Sequence, residues 1–214
     1  MTNSFQASLF GDSAERGRVG PWVLADGLRR TDLGTGAWVD LRPGWIEGAD
    51  VLFAELLRSV PWEAERRRMY DRVVDVPRLA ARYEPGAPLP HPVVQRIKDD
   101  LDRHYTAEFG EGFGTAGLAL YRDGQDSVAW HGDVFGRERD TDTMVAIVVL
   151  GPPRPFLLRP RAGHGPPGPT RHHELGHGDL IVMGGSCQRT WQHCVPKSAR
   201  AAGPRISIQF RTSE

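Results

Sequence analysis

Lysine is almost missing from this chain. Lys98 and Lys197 are the only two, so 25 of the 27 basic residues are arginine. Composition alone leaves two readings of that bias. One is a coding preference that also enriches Gly, Pro and Ala; the other is a local patch of forked guanidinium groups that grips carboxylates or phosphates. A net charge is missing too: Lys+Arg 27 balances Asp+Glu 27, so no global field draws the protein onto nucleic acid. Cysteine is limited to Cys187 and Cys194, too few for a disulfide framework. Both read as small packing residues, and a reducing cytoplasm is the expected compartment. No apolar run approaches the roughly 18 residues that a spanning helix needs, and mean hydropathy is −0.42, so no membrane partner is expected. The first residues, Met1 to Gln6, carry neither a basic stretch nor an apolar core, so no secretory leader is expected.

What is present divides along the chain. At 214 residues it suits one domain. Residues 1–45 are rich in Gly, Asp and Arg and read as an irregular N-terminal extension, with one or two short strands such as Trp38-Val39-Asp40-Leu41. Residues 46–214 read as the domain proper. Phe53, Leu56, Leu57 and Val60 repeat at helical spacing, which predicts a helix from Asp50 to Val60, stopped by Pro61. Val94, Ile97, Leu101 and Tyr105 predict a second helix from Pro92 to about Glu108, with Pro92 suited to its first turn. After Gly117 the pattern turns to short runs punctuated by Gly and Pro: Leu118–Tyr121, Ser127–His131, Met144–Leu150, Pro155–Arg159, Leu180–Met183, Thr190–Val195 and Arg205–Arg211. Seven such runs predict an antiparallel sandwich or jelly roll, in an α+β, β-rich chain.

Two segments read His-Gly-Asp, at 131–133 and 177–179. On a strand, residues i and i+2 share a face, so either pair could offer an imidazole and a carboxylate to one metal ion. Two His and one carboxylate, with sites left open, form the facial triad of non-haem Fe(II) oxygenases. The distant second His is best supplied by His193, in the strand-like run around Trp191. It lies 60 residues after Asp133, room for several intervening strands, but only 14 after Asp179. The first pair is therefore assigned to the metal, and the second to a turn that launches the strand at Leu180. His164, His172, His173 and His177 read as loop residues. In Arg205–Arg211, positions 205, 207, 209 and 211 share one face while Ile206, Ile208 and Phe210 share the other. Two inward arginines are costly unless anions meet them, so a short dicarboxylate cosubstrate is expected; a surface-facing edge strand is the alternative.

The order Tyr121-x-x-Gly124, Trp130-His131-Gly132-Asp133, Gly178-Asp179, Gln188-x-x-Trp191-x-His193-x-x-Pro196 and Arg205 to Arg211 resembles the AlkB-type Fe(II)/2-oxoglutarate dioxygenases, from about Pro77-Arg78 onward. The resemblance implies a double-stranded β-helix (jelly-roll, cupin-like) core with two helices from the N-terminal half packed on it. It implies Fe(II) held by His131, Asp133 and His193, and 2-oxoglutarate held by Tyr121, Arg205, Ser207 and Arg211. Arg205 would meet the distal carboxylate, and Arg211 would lie near the C1 carboxylate and Asp133. The implied activity is oxidative demethylation of N-alkylated bases in DNA, releasing formaldehyde, succinate and CO2. Two positions depart from the family pattern: Ala119 and Ser207 stand where Asn is usual, which puts affinity for 2-oxoglutarate in doubt. Phe135 replaces a residue that is often acidic, which puts base preference in doubt. An RNA or protein substrate remains open, as does a catalytically silent nucleic-acid-binding module.

A stacked base must leave the duplex to reach buried iron. Candidate substrate contacts are Arg78, Tyr83, Phe135 and Arg159. Arg66-Arg67-Arg68 with Arg72 reads either as a phosphate clamp or as a solvated helix face balanced by Glu63 and Glu65. Gln6-Ala7-Ser8-Leu9-Phe10 resembles the short peptide that docks repair proteins on the DNA sliding clamp; a tail or a strand start is the alternative. A monomer is expected.

Overall fold

The computed structural model describes residues 19–69, 72–133, 141–200 and 203–212, with side chains described except at 65–75. The clamp-like peptide 6–10 and Phe135 lie outside the described residues. Short strands β1 (Gly20–Pro21) and β4 (Ile46–Glu47) pair with each other, and β2 (Arg29–Gly34) with β3 (Ala37–Arg42) forms a hairpin between them. Then come α1 (Ala49–Ser59), the hairpin β5 (Glu63–Met69) and β6 (Arg72–Tyr83), and α2 (Pro92–Phe109). The rest is β7 (Phe113–Tyr121), β8 (Val128–His131), β9 (Val145–Leu150), β10 (Arg154–Pro160), β11 (Arg171–Leu175), β12 (Leu180–Gly185), the single turn α3 (Cys187–Thr190), β13 (Trp191–Val195) and β14 (Arg205–Thr212).

The last eight strands roll into the expected double-stranded β-helix. β12, β9, β14 and β7 lie side by side in the large sheet, while β11, β10, β13 and β8 form the small sheet facing it. The chain alternates between the two except at the β10–β11 hairpin, which stays in the small sheet, and every pairing is antiparallel. β9 shows why the strand-rich half reads so plainly: Val145 to Leu150 are all buried, because the strand is covered on both faces. Ala146 and Val148 pack toward the helices, Val145, Ile147 and Val149 toward the small sheet. α1 and α2 cover the outer face of the large sheet. Pro92 opens α2, His91 Nδ1 accepts the Val93 N–H at 3.1 Å, and left-handed Gly110 (φ 82°) closes it. Its stripe Val93, Val94, Ile97, Leu101 and Tyr105 is buried, each large side chain contributing about 1.5–3 kcal/mol. No helix among the described residues is long and apolar enough to cross a membrane.

Three expectations need correction. The front is more ordered than expected: Trp38-Val39-Asp40-Leu41 lies in β3 as read, but β2 joins it in a hairpin that extends the large sheet through the pairing of β3 with β12. The segment around Arg66-Arg67-Arg68 is not a helix face: β5 and β6 form a hairpin that adds to the other edge of the same sheet through β7. His172 and His173 stand on β11, not in a loop. Runs of charged and polar residues on sheet edges hide their strand character from a reading tuned to apolar runs.

Candidate metal centre

His131 ends β8 and His193 stands mid-way along β13, and the two residues are paired directly across the small sheet. Their rings lie 4.2 Å apart at the centroids. Asp133 follows two residues after His131, and its Oδ1 lies 3.8 Å from His131 Nε2. One ligand atom from each of His131, Asp133 and His193 lies within 4.8 Å of the others, the only such convergence of three among the described residues.

Each donor is held in the state a cation needs. His131 Nδ1 donates to the Ala129 carbonyl at 2.8 Å, which leaves the Nε2 lone pair free. Phe156 stacks on His193 with centroids 5.4 Å apart. Burial, with His131 alongside, pushes His193 down to about 3, so that imidazole is neutral. Burial alone would raise the Asp133 carboxyl, but nearby positive charge, led by the Arg211 guanidinium, outweighs it and holds it below its ordinary value. Arg211 Nε donates to Asp133 Oδ2 at 3.0 Å. Two imidazoles and one carboxylate suit a divalent iron.

Gln188 in α3 carries a role that motif spacing did not reveal. It is 1% exposed, and its Oε1 accepts the Asp133 N–H at 2.9 Å, anchoring the ligand's backbone to the opposite connection. The same close approach explains Gly132, where a Cβ would sit 2.4 Å from the Gln188 carbonyl oxygen.

Deeper in the barrel lies an anion-seeking end. β14 turns Arg205, Ser207 and Arg211 inward and Ile206, Ile208 and Phe210 onto the helices, as the alternation predicted. Arg205 is 1% exposed and pairs across the sheet with Tyr121. Its Nη1 donates to Ser207 Oγ at 3.3 Å, while Nε and Nη2 have no hydrogen-bond partner among the described residues. Burial lowers this guanidinium to about 10. Ala119 and Ser207 face each other in register beside it, so both departures from the family pattern fall at one spot.

The second His-Gly-Asp is structural. His177 Nδ1 accepts the Gly151 N–H at 2.8 Å and its Nε2 lies 2.9 Å from Asp50, while Asp179 accepts from Gly44 and Gly176. Both cysteines are buried and free, and burial pushes Cys187 up to about 12. Among the candidate substrate contacts, Arg78 sits on the β6 face that turns the same way as Tyr121, and its Nη1 reaches the Ser127 carbonyl at 3.5 Å. Tyr83 does not join the centre, because it packs in the core beneath the helices, where burial raises its phenol. Arg159 lies on the outer face of β10, 4.3 Å over the Trp130 ring and hydrogen-bonded to Gln192.

The family model described as the 2OG-Fe(II) oxygenase superfamily matches residues 61–211. The chain belongs to that superfamily. It is an enzyme family that uses Fe(II) and 2-oxoglutarate, and the three donors above fit that metal. Curated relatives are AlkB homologues, as the resemblance implied. Alpha-ketoglutarate-dependent dioxygenase alkB homolog 3 of Bos taurus is 33% identical over 196 residues, covering 81% of this chain and 65% of that one. The DNA oxidative demethylase ALKBH2 of Arabidopsis thaliana is 33% identical over 137 residues, 54% of this chain and 42% of that one. The chain thus spans just under two thirds of the length of the alkB homolog 3 relative. Among solved structures, OsALKBH1 superposes with TM-score 0.58 at 11% identity, over 86% of this chain and all of that one. A 2OG-Fe(II) oxygenase-family oxidoreductase from Burkholderia pseudomallei gives 0.56 at 16%, covering 82% and 84%. These two likenesses show the fold.

Proposed function

We propose that this oxygenase demethylates N-alkylated bases in DNA. The observation that carries the reading is the meeting of the His131–Asp133–His193 group with the inward Arg205 and Tyr121 in one barrel, beside an arginine-bearing hairpin on the same sheet. His131, Asp133 and His193 would hold Fe(II). Arg205 would take the distal carboxylate of 2-oxoglutarate, with Tyr121 and Ser207 as further hydrogen-bonding groups. Arg211 would serve the C1 carboxylate while it holds Asp133 ionised. Bound Fe(II), 2-oxoglutarate and O2 supply the oxidising power that hydroxylates an N-methyl carbon, which then leaves as formaldehyde. The protein's own work is positioning. Gln188 and Arg211 fix the carboxylate ligand, and Phe156 packs on the buried His193.

The substrate class rests on chemistry and kinship. AlkB homologues named as DNA demethylases are among the relatives. Arg66, Arg67, Arg68 and Arg72 lie along the β5–β6 hairpin, where guanidinium forks suit phosphates. Arg78 and Arg159, with Phe135, are the proposed contacts to an extruded base or its flanks.

The test is a panel of methylated oligonucleotides, DNA and RNA, incubated with Fe(II), 2-oxoglutarate and air and scored for formaldehyde and succinate. Methylated DNA should release both. Asp133→Ala should release neither while its circular dichroism stays unchanged. Turnover confined to RNA or peptide overturns the DNA assignment, and binding without turnover reduces the protein to a nucleic-acid-binding module.

A further inference from the structure

Arg154 is the second buried guanidinium of the barrel, and neither the metal nor the triad accounts for it. It opens β10 between Pro153 and Pro155 and is 1% exposed. Its Nη1 donates to the Asp123 carbonyl at 3.2 Å, and its Nη2 to the carbonyls of Asp126 and Pro196 at 2.9 and 2.6 Å. These are dipoles, and they leave the positive charge uncompensated. Its Nε has no hydrogen-bond partner among the described residues. The nearest candidate counter-ion, the Asp126 carboxylate, spends both oxygens on Arg122.

The Tyr121 ring links the two cations. The Arg154 guanidinium lies 5.4 Å from its centroid and the Arg205 guanidinium 5.5 Å. Among the described residues, no carboxylate lies within ion-pair distance of either arginine. Two such charges around one phenol repel, and the Arg154 charge helps depress Arg205. A buried pair of like charges without counter-ions is costly unless a ligand neutralises it. A distal carboxylate held by Arg205 would sit in the field of both cations, because Tyr121 gathers them at one end of the pocket.

We propose that Arg154 is a second cation of the 2-oxoglutarate pocket, a positioning residue that acts through Tyr121 and strengthens the hold on the distal carboxylate. The inference rests on the cosubstrate reading of Arg205 and Tyr121, not on the nucleic-acid substrate. Its electrostatic content is specific: charge at position 154 sets cosubstrate affinity, while the chemical step at the distant metal is untouched.

The experiment compares Arg154→Gln, Arg154→Lys and Arg205→Gln with the wild-type protein. Affinity for 2-oxoglutarate is read from thermal protection of Mn(II)-loaded protein, and KM and kcat from succinate release by the Fe(II) enzyme. Arg154→Gln should weaken affinity and raise KM about tenfold, with kcat within about twofold. Arg154→Lys, which keeps the charge but not the three-carbonyl fork, should stay within about threefold of wild type. An unchanged KM in Arg154→Gln, or an Arg154→Lys variant as weak as Arg154→Gln, overturns the proposal. If Arg154→Gln does not fold, the Lys variant decides by the same threefold and tenfold marks. Protein without metal gives a second reading: the rise in melting temperature that glutarate gives the wild type should shrink in Arg154→Gln and persist in Arg154→Lys, and an undiminished rise in Arg154→Gln overturns the proposal. Arg205→Gln separates the two levels, because unchanged affinity there removes the pocket reading itself.

Discussion

Arg30 and Arg205 stand on opposite faces of the same eight-stranded sheet and are treated in opposite ways. On the helix face, Arg30 clasps Asp40 through Nε and Nη2, each at 2.8 Å, and reaches Glu108 at 2.6 Å. It lies 3.7 Å over the Trp38 ring, and the Tyr105 hydroxyl donates to Asp40 at 2.9 Å. Every charge there has a partner, and those hydrogen bonds to Asp40 and Glu108 raise the guanidinium above its ordinary range. On the barrel face, Arg205 meets one serine hydroxyl and is pushed down by burial. The helix-face network joins β2, β3 and α2 into one body. The barrel-face charge stabilises nothing in the chain alone, which is the mark of a group kept for a ligand.

The sharpest way to break that contrast is Asp40→Ala. The side chain is fully buried, and its loss strips Arg30 and Tyr105 of their shared acceptor. Stability should fall by about 2 kcal/mol, read from urea unfolding, because the buried Tyr105 hydroxyl loses its acceptor while the part-exposed Arg30 keeps Glu108. Turnover per folded molecule should hold. A smaller effect of opposite sign is expected from Arg205→Met. In the absence of 2-oxoglutarate this variant should gain about 1 kcal/mol, since an apolar chain replaces a charge without a counter-ion. It should also lose the thermal protection that 2-oxoglutarate gives. A loss of stability in cosubstrate-free Arg205→Met would place both arginines in the same structural class.

The same two regions show what a sequence discloses. The barrel was legible because its strands are buried on both faces, as at Val145 to Leu150, and because Arg205, Ser207 and Arg211 alternate against Ile206, Ile208 and Phe210. His131, Asp133 and His193 were legible because the first two stand two residues apart and the third far along the chain, although Asp133 lies just past the end of β8 rather than on it. The edge strands β2 and β5 were hidden, since sheet edges carry charge where inner strands carry Val and Ile. Gln188 and Arg154 were hidden for another reason. Each acts on backbone groups across a turn, and no residue spacing records which carbonyl or N–H a side chain will meet. Tyr83 was misplaced because a strand aromatic gives no sign of which face it takes until register is known.

The Arg122–Asp126 pair is the intermediate case, and it gives the smallest test. Both Asp126 oxygens receive the Arg122 guanidinium at 2.8 Å, and Oδ2 also accepts the Arg122 backbone N–H. Arg122 itself is more than half exposed, so solvent screens the attraction. The Arg122 side-chain hydrogen bond holds the Asp126 carboxyl below its ordinary value despite the opposing effect of burial. A carboxyl depressed in the folded state adds stability that is fully present above its unfolded pKa of about 4 and is lost as pH falls through the lower folded value. Asp126→Asn should therefore cost about 1 kcal/mol at neutral pH, and its unfolding curve should converge on the wild-type curve as acid protonates Asp126. The two curves should be separate at pH 7 and closest at the acid end. A gap that stays constant across that range would mean the side chain acts by shape, and that its charge adds nothing to the loop beneath Arg154.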